Sequence, residues 1–263
     1  MRFNTIKLQV VPARTGLAWV KQGIRTFWRQ PLALSGLFFL FTGLISLTSY
    51  LSYVGTLLGL MLLPVITLGL MAAAREAEMG RFPMPRIVFV AFQQGATQSK
   101  RMLGMGGLYA LLFGLVLAMS SVFDGGDFAR MYLMGGTLSE EVLLNEDFQT
   151  AAVFCMLMYV PLSALFWHAP ALVHWHNQPL AKSIFFSTMA CLTNWRAFAV
   201  FGLTWLGLFL TTSLLLGLVS VITEDGQLSM MLLLPAMMLL AAMFFASSFH
   251  SFRECFVSEP VLA

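Results

Sequence analysis

The sequence predicts an all-α polytopic membrane protein with six transmembrane helices. Three observations carry that expectation: the composition, six apolar windows free of ionised residues, and the partition of Lys and Arg between alternate loops. Hydrophobic residues make up 59% of the 263 residues and charged residues only 10%, against about 25% charge in an ordinary soluble domain. A water-soluble fold of this length has too little interior to hide so much apolar surface. No polar linker divides the chain, so residues 1–263 are expected to form a single integral membrane domain.

The chain opens on an amphipathic stretch over 13–30, where Leu17, Val20, Ile24 and Phe27 recur at helical spacing and Lys21, Gln22, Arg25 and Arg29 fill the other face. Such a helix is expected to lie in the headgroup plane, its apolar face toward the acyl chains and its cations against anionic lipid, each worth about 1 kcal/mol near the surface. No small-residue cleavage pattern follows the first apolar run, so that run is expected to stay in the membrane. Crossing the hydrocarbon core takes about 20 apolar residues at about 1.5 Å each. Six windows qualify, at 31–50, 53–74, 102–122, 149–172, 197–222 and 228–249, and none contains Asp, Glu, Lys or Arg.

Orientation follows from the retention of Lys and Arg on the cytoplasmic side. Six precede the first span, five lie in 75–101, two in 173–196 and one, Arg253, in the tail; only Arg130 falls elsewhere. Asp124, Asp127, Glu140, Glu141, Glu146, Asp147, Glu224 and Asp225 fall on the opposite side. Both termini are therefore expected inside, with 123–148 as a periplasmic loop.

The cytoplasmic segments repeat. Pro12 precedes Arg29 by 17 residues, Pro85 precedes Arg101 by 16, and Pro179 precedes Arg196 by 17. Two stretches end alike, in Trp28-Arg29 and Trp195-Arg196, and the third repeats the apolar face with Phe185, Met189, Leu192 and Trp195. The middle one is blurred by the continuous apolar run Ile87 to Phe92. Each leads into a pair of spans whose second member carries a proline: Pro64, Pro161 and Pro235. The expected architecture is three units of elbow helix plus hairpin. The prolines kink their helices, and the kinks either shape a cavity or only set curvature. Gly55 and Gly59 permit close approach of a neighbouring helix.

Little chemistry is signalled. Cys155, Cys191 and Cys255 show no metal or redox spacing. Trp167, His168, His174, Trp175 and His176 cluster at the end of the fourth span; His168, His174, His176 and His250 are weak metal or haem candidates, but imidazoles and indoles there also anchor a helix at the interface. His168 and His176 are two turns apart on one face, too far for one ion in a continuous helix, although Pro170 can break that continuity. No span carries the Asp, Glu, Lys or Arg on which ion-coupled transport usually depends. No hydrolase, metalloprotease, phosphate-loop or dinucleotide motif occurs. The basic residues are explained by topology without nucleic acid. No metal and no cofactor is expected.

Ala169-Pro-Ala-Leu-Val-His-Trp-His176, continued by Pro179, Lys182, Phe185-Phe-Ser187, Ala190-Cys191 and Asn194-Trp-Arg-Ala-Phe198, resembles the hallmark of a bacterial inner-membrane protein family of unknown function. Val11-Pro-Ala-Arg14 through Gln30-Pro-Leu-Ala-Leu34 looks like its amino-terminal signature, and Phe252-Arg253-Glu254-Cys255-Phe256 is similar to its tail motif, with Phe252 and Glu254 where the family more often has Tyr and Asp. The resemblance implies a six-span fold distantly similar to the membrane domain beside glycerophosphodiester phosphodiesterases, and no activity.

The expected function is that of a non-enzymatic multi-pass protein of the bacterial inner membrane. It contacts lipid or another membrane protein through its cytoplasmic amphipathic layer, with Trp175, His176, Asn194, Trp195, Arg196, Arg29 and Arg253 as the candidate contacts. The alternatives are an uncoupled transporter or channel for an amphipathic or neutral solute, and a haem or metal protein.

Overall fold

A computed structural model describes residues 6–49, 52–135, 139–223 and 226–258. Tyr50, Glu224 and Asp225 lie outside the described residues, as does the side chain of Glu140. The fold is all-α apart from two short strands, and six of its helices are long and apolar enough to cross a membrane.

The elements run β1 (Ile6–Leu8), α1 (Thr15–Arg29), α2 (Pro31–Ser49), α3 (Ser52–Glu78), a 3-10 turn at Pro85–Phe92, α4 (Ala96–Asp124), α5 (Asp127–Met134), α6 (Glu140–Leu144), α7 (Glu146–Phe166), α8 (Ala169–His176), α9 (Leu180–Thr193), α10 (Trp195–Thr223), α11 (Gly226–Cys255) and β2 (Phe256–Ser258). Local sequence sets the boundaries. Pro31 occupies the first position of α2, where its missing N–H costs nothing. Gly125 ends α4 at φ 66°, a left-handed conformation that glycine adopts freely. Asn145 caps α7 by accepting from the Asp147 amide, with two carboxylates in the first turn facing the positive end of the helix dipole.

The window 149–172 lies within a membrane-length segment, Glu146–His176, that is built of two helices: α7 stops at Phe166 and α8 begins at Ala169, with Pro170 in its first turn where proline is tolerated. The segment 123–148 holds α5 and α6. The second elbow differs from the other two. It is a 3-10 turn with a kink at Phe89, while its closing Arg101 belongs to the span helix α4 as Arg196 of the third elbow belongs to α10.

The chain packs as two compact, interleaved units. The first comprises Met1–Leu40, Leu68–Val90 and Met189–Ala263; the second comprises Phe41–Thr67 and Ala91–Thr188. In the first unit α1 lies against α10 and α11. A Cβ on Gly16 would overlap the Ala197 carbonyl oxygen, and one on Gly23 would overlap Ser247, so both contacts depend on the missing side chain. Trp19 fills the space beside them, its ring 5.1 Å from Phe198 and 6.1 Å from Phe201. The first amphipathic face is thereby corrected: Val20 and Phe27 are buried on protein together with Gly16, Trp19, Gly23 and Thr26, not turned to acyl chains. The strands β1 and β2 pair antiparallel in the register Ile6 to Ser258 and Leu8 to Phe256.

In the second unit α4 is the central helix, packed on α7, α5 and α8. Gly106 admits the Met61 carbonyl of α3 at a distance no Cβ would allow. Tyr109 meets Phe166 edge to face at 5.1 Å, and Phe113 meets Tyr132 of α5 at 5.0 Å. The break between α7 and α8 is fastened by Ser187, whose hydroxyl accepts from the His168 amide at 2.9 Å and donates to the Ala164 carbonyl at 2.9 Å.

Candidate functional site

The amino-terminal signature, the tail motif and the end of the central signature, Ala190 to Phe198, meet in the first unit. Asn194, buried between α9 and α10, accepts from the Val11 amide at 2.8 Å and donates to the Gln9 carbonyl at 3.0 Å and the Cys255 sulfur at 3.6 Å. A carboxamide suits this position because it offers an acceptor and two donors at once. Asn194 thus bridges the amino-terminal strand region and the tail, and is turned inward.

A polar chain continues along the contact of α1 with α11. Glu254 accepts from the Trp19 indole at 3.1 Å and from Gln22 at 3.2 Å. Arg253 donates to both oxygens of Glu78 at 2.6 and 2.8 Å and reaches Gln22 at 3.3 Å. Arg29 donates to the Glu78 backbone carbonyl. Deeper in the unit, Thr26 and the Nε2 of His250 lie 2.9 Å apart. Of the expected contact residues, Arg29 and Arg253 are therefore committed to intramolecular partners. Glu78, Gln22 and Glu254 are the site residues that sequence reasoning missed. A signal for them existed: Glu76, Glu78 and Glu254 stand among the cations, where topology alone gives an acid no purpose.

Other cations remain available. Arg14, Lys21 and Arg25 form an exposed stripe on α1 with Leu17 and Trp28. On α9 the face Phe185, Met189, Leu192 and onward to Trp195 is exposed, while Ser183, Ser187, Ala190 and Asn194 are buried. The expected apolar face of this third elbow is thus the outer one. Trp28 is 66% and Trp195 60% exposed, each at the junction of an elbow helix and a span. The Arg196 guanidinium sits 5.5 Å from the Trp195 ring centroid. Among the described residues Lys21, Arg25, Lys182 and Arg196 take part in no ion pair.

Trp175 and His176 belong to the second unit, both half-buried. There Gln98 donates to the carbonyls of Val173 at 2.6 Å and His174 at 3.0 Å, closing the end of α8. Arg101 donates to the Asn177 carbonyl and side chain at 3.0 and 2.8 Å. His174 lies 3.1 Å from the Gln94 amide nitrogen, and His168 is fully buried beside the helix break. Among the described residues no three His, Cys, Asp or Glu side chains converge as metal ligands do.

Six lipid-length helices, charge confined to their ends and an indole-guanidinium pair where α9 meets α10 define a multi-pass α-helical membrane protein. The chain belongs to the family of a "probable inner membrane protein" of Burkholderia thailandensis, with which it is 36% identical over 259 residues, 97% of this chain and 96% of the relative. It is accordingly a multi-pass protein of the inner membrane. No family model and no solved structure matches it.

Proposed function

We propose that the chain is a non-enzymatic inner-membrane protein, both termini cytoplasmic, that holds anionic lipid headgroups at its elbow helices α1 and α9. One observation carries the reading: Trp28 and Trp195 are exposed where elbow meets span, with Lys21 and Arg25 on the helix of the first and Arg196 next to the second, these cations without ion-pair partners among the described residues. Indoles favour the headgroup level, and a guanidinium binds phosphate through two parallel hydrogen bonds. Stacking on Trp195 orients Arg196 without neutralising it. The cytoplasmic placement of this layer is supported by the fourteen Lys and Arg residues on one side.

The test is native mass spectrometry of lipid copurifying with the full-length protein. Trp195→Ala combined with Arg196→Ala is expected to lower bound anionic lipid at least threefold while the protein remains inserted. An unchanged lipid complement refutes the reading, and loss of a copurifying protein in place of lipid assigns the surface to a partner instead.

A further inference from the structure

The second unit holds a cavity of about 290 Å3 bounded by the C-terminal half of α2, the N-terminal half of α3 and the end of α5. Its polar wall consists of Thr48, Thr56, Tyr132 and the backbone through Gly135; its apolar wall consists of Ile45, Leu60 and Leu63. We propose that this cavity binds an uncharged, hydroxyl-bearing amphiphile with a short hydrocarbon tail, of the monoacylglycerol type. This goes beyond the elbow reading, which concerns a different unit and an anionic ligand.

Four features point to that class. Among the described residues no Asp, Glu, Lys, Arg or His lines the cavity, so an ionised ligand would find no countercharge there. The Thr48 hydroxyl donates to the Ile45 carbonyl at 2.7 Å, and the Thr56 hydroxyl donates to the Leu133 carbonyl at 2.8 Å. The Thr48 oxygen therefore faces a ligand as an acceptor, and the ligand must bring an O–H group; the Tyr132 phenol adds a donor. The cavity runs along α3 from Thr56 to Leu63, about 10 Å at 1.5 Å per residue, the length of a tail of roughly eight carbons. Finally, Leu47, Leu57 and Leu58 beside it are exposed on the apolar helix surface, which gives such a molecule access from the bilayer. Pro64 follows the apolar wall directly and removes the amide that would bond the Leu60 carbonyl, so one of the three proline-bearing spans borders the cavity.

The test titrates detergent-purified full-length protein with 1-monodecanoylglycerol and, in parallel, with decanoate, read by native mass spectrometry. One equivalent of the monoacylglycerol is expected to bind saturably and decanoate at least tenfold more weakly. Leu63→Trp fills the cavity and is expected to reduce binding at least tenfold, with the anionic lipid at Arg196 retained. Thr48→Val, whose hydroxyl serves only its own helix and the cavity, is expected to weaken binding at least threefold and serves if the tryptophan variant does not fold. Absence of a saturable adduct, equal affinity for decanoate, or undiminished binding by either folded variant overturns the proposal.

Discussion

Replacing Asn194 by alanine removes the acceptor of the Val11 amide and the donor to the Gln9 carbonyl in one step. A buried group left without its partner costs about 1–3 kcal/mol. Val11 is half-buried and Gln9 exposed, so water recovers part of the loss, and the contact to the Cys255 sulfur at 3.6 Å is weak. The net destabilisation is then about 2–4 kcal/mol. At about 2–4 °C per kcal/mol for a chain of this size, the melting temperature falls by about 5–10 °C. A thiol-reactive fluorophore suits the measurement, because Cys255 is buried beside Asn194 and reports its release directly. Asn194→Asp keeps the acceptor but sets a carboxylate against the Gln9 carbonyl, and is expected to melt no higher than the alanine variant. An alanine variant that melts with the parent refutes the reasoning that this side chain bolts the two terminal segments together.

Gly23→Ala is expected to destabilise by about 1–3 kcal/mol, since its Cβ would meet Ser247 backbone that cannot give way. Gly36→Ala, in the same unit with open space around its Cβ, is the control that melts unchanged; equal behaviour of the two in thermal unfolding refutes the packing argument. Burial pushes the Cys191 thiol from its ordinary value of 9.0 up to about 12. The neutral form is thus favoured in the fold, and alkylation at pH 8 is expected to be much slower than for an unfolded thiol, rising about tenfold per pH unit toward the raised value. Peptide-resolved mass spectrometry of iodoacetamide-treated protein checks it, and rapid labelling of Cys191 at pH 8 refutes it.

The spans are legible because excluding charge from twenty-residue windows is a solvent requirement that no tertiary contact relaxes. Their ends are less so: Lys100, Arg101, Arg75 and Glu78 sit within α4 and α3, since a helix outlasts the hydrocarbon layer and its polar ends extend past it. The break after Phe166 is announced by Pro170, which has no N–H for the Phe166 carbonyl four residues back and sits in the first turn of the helix that follows. The buried face of α1 eludes periodicity for a different reason. Gly16, Gly23 and Thr26 contribute almost no hydropathy, and a contact made by the absence of a side chain leaves no apolar signal. For Asn194 the bridging chemistry is legible in the residue type, but Val11 is 183 positions away, and nothing local announces such a partner. The exposed Trp195 and the stacked Arg196 follow from their place where a polar helix turns into a span.

Trp19 bonds Glu254 across 235 positions, and β1 finds its only strand partner in residues 256–258. The contacts of α1 are therefore completed only once both α10 and α11 have followed it in the chain. A product that stops before α11 leaves Gly23 without Ser247 and Trp19 without Glu254, so the face of α1 shaped by missing side chains has nothing to close on it.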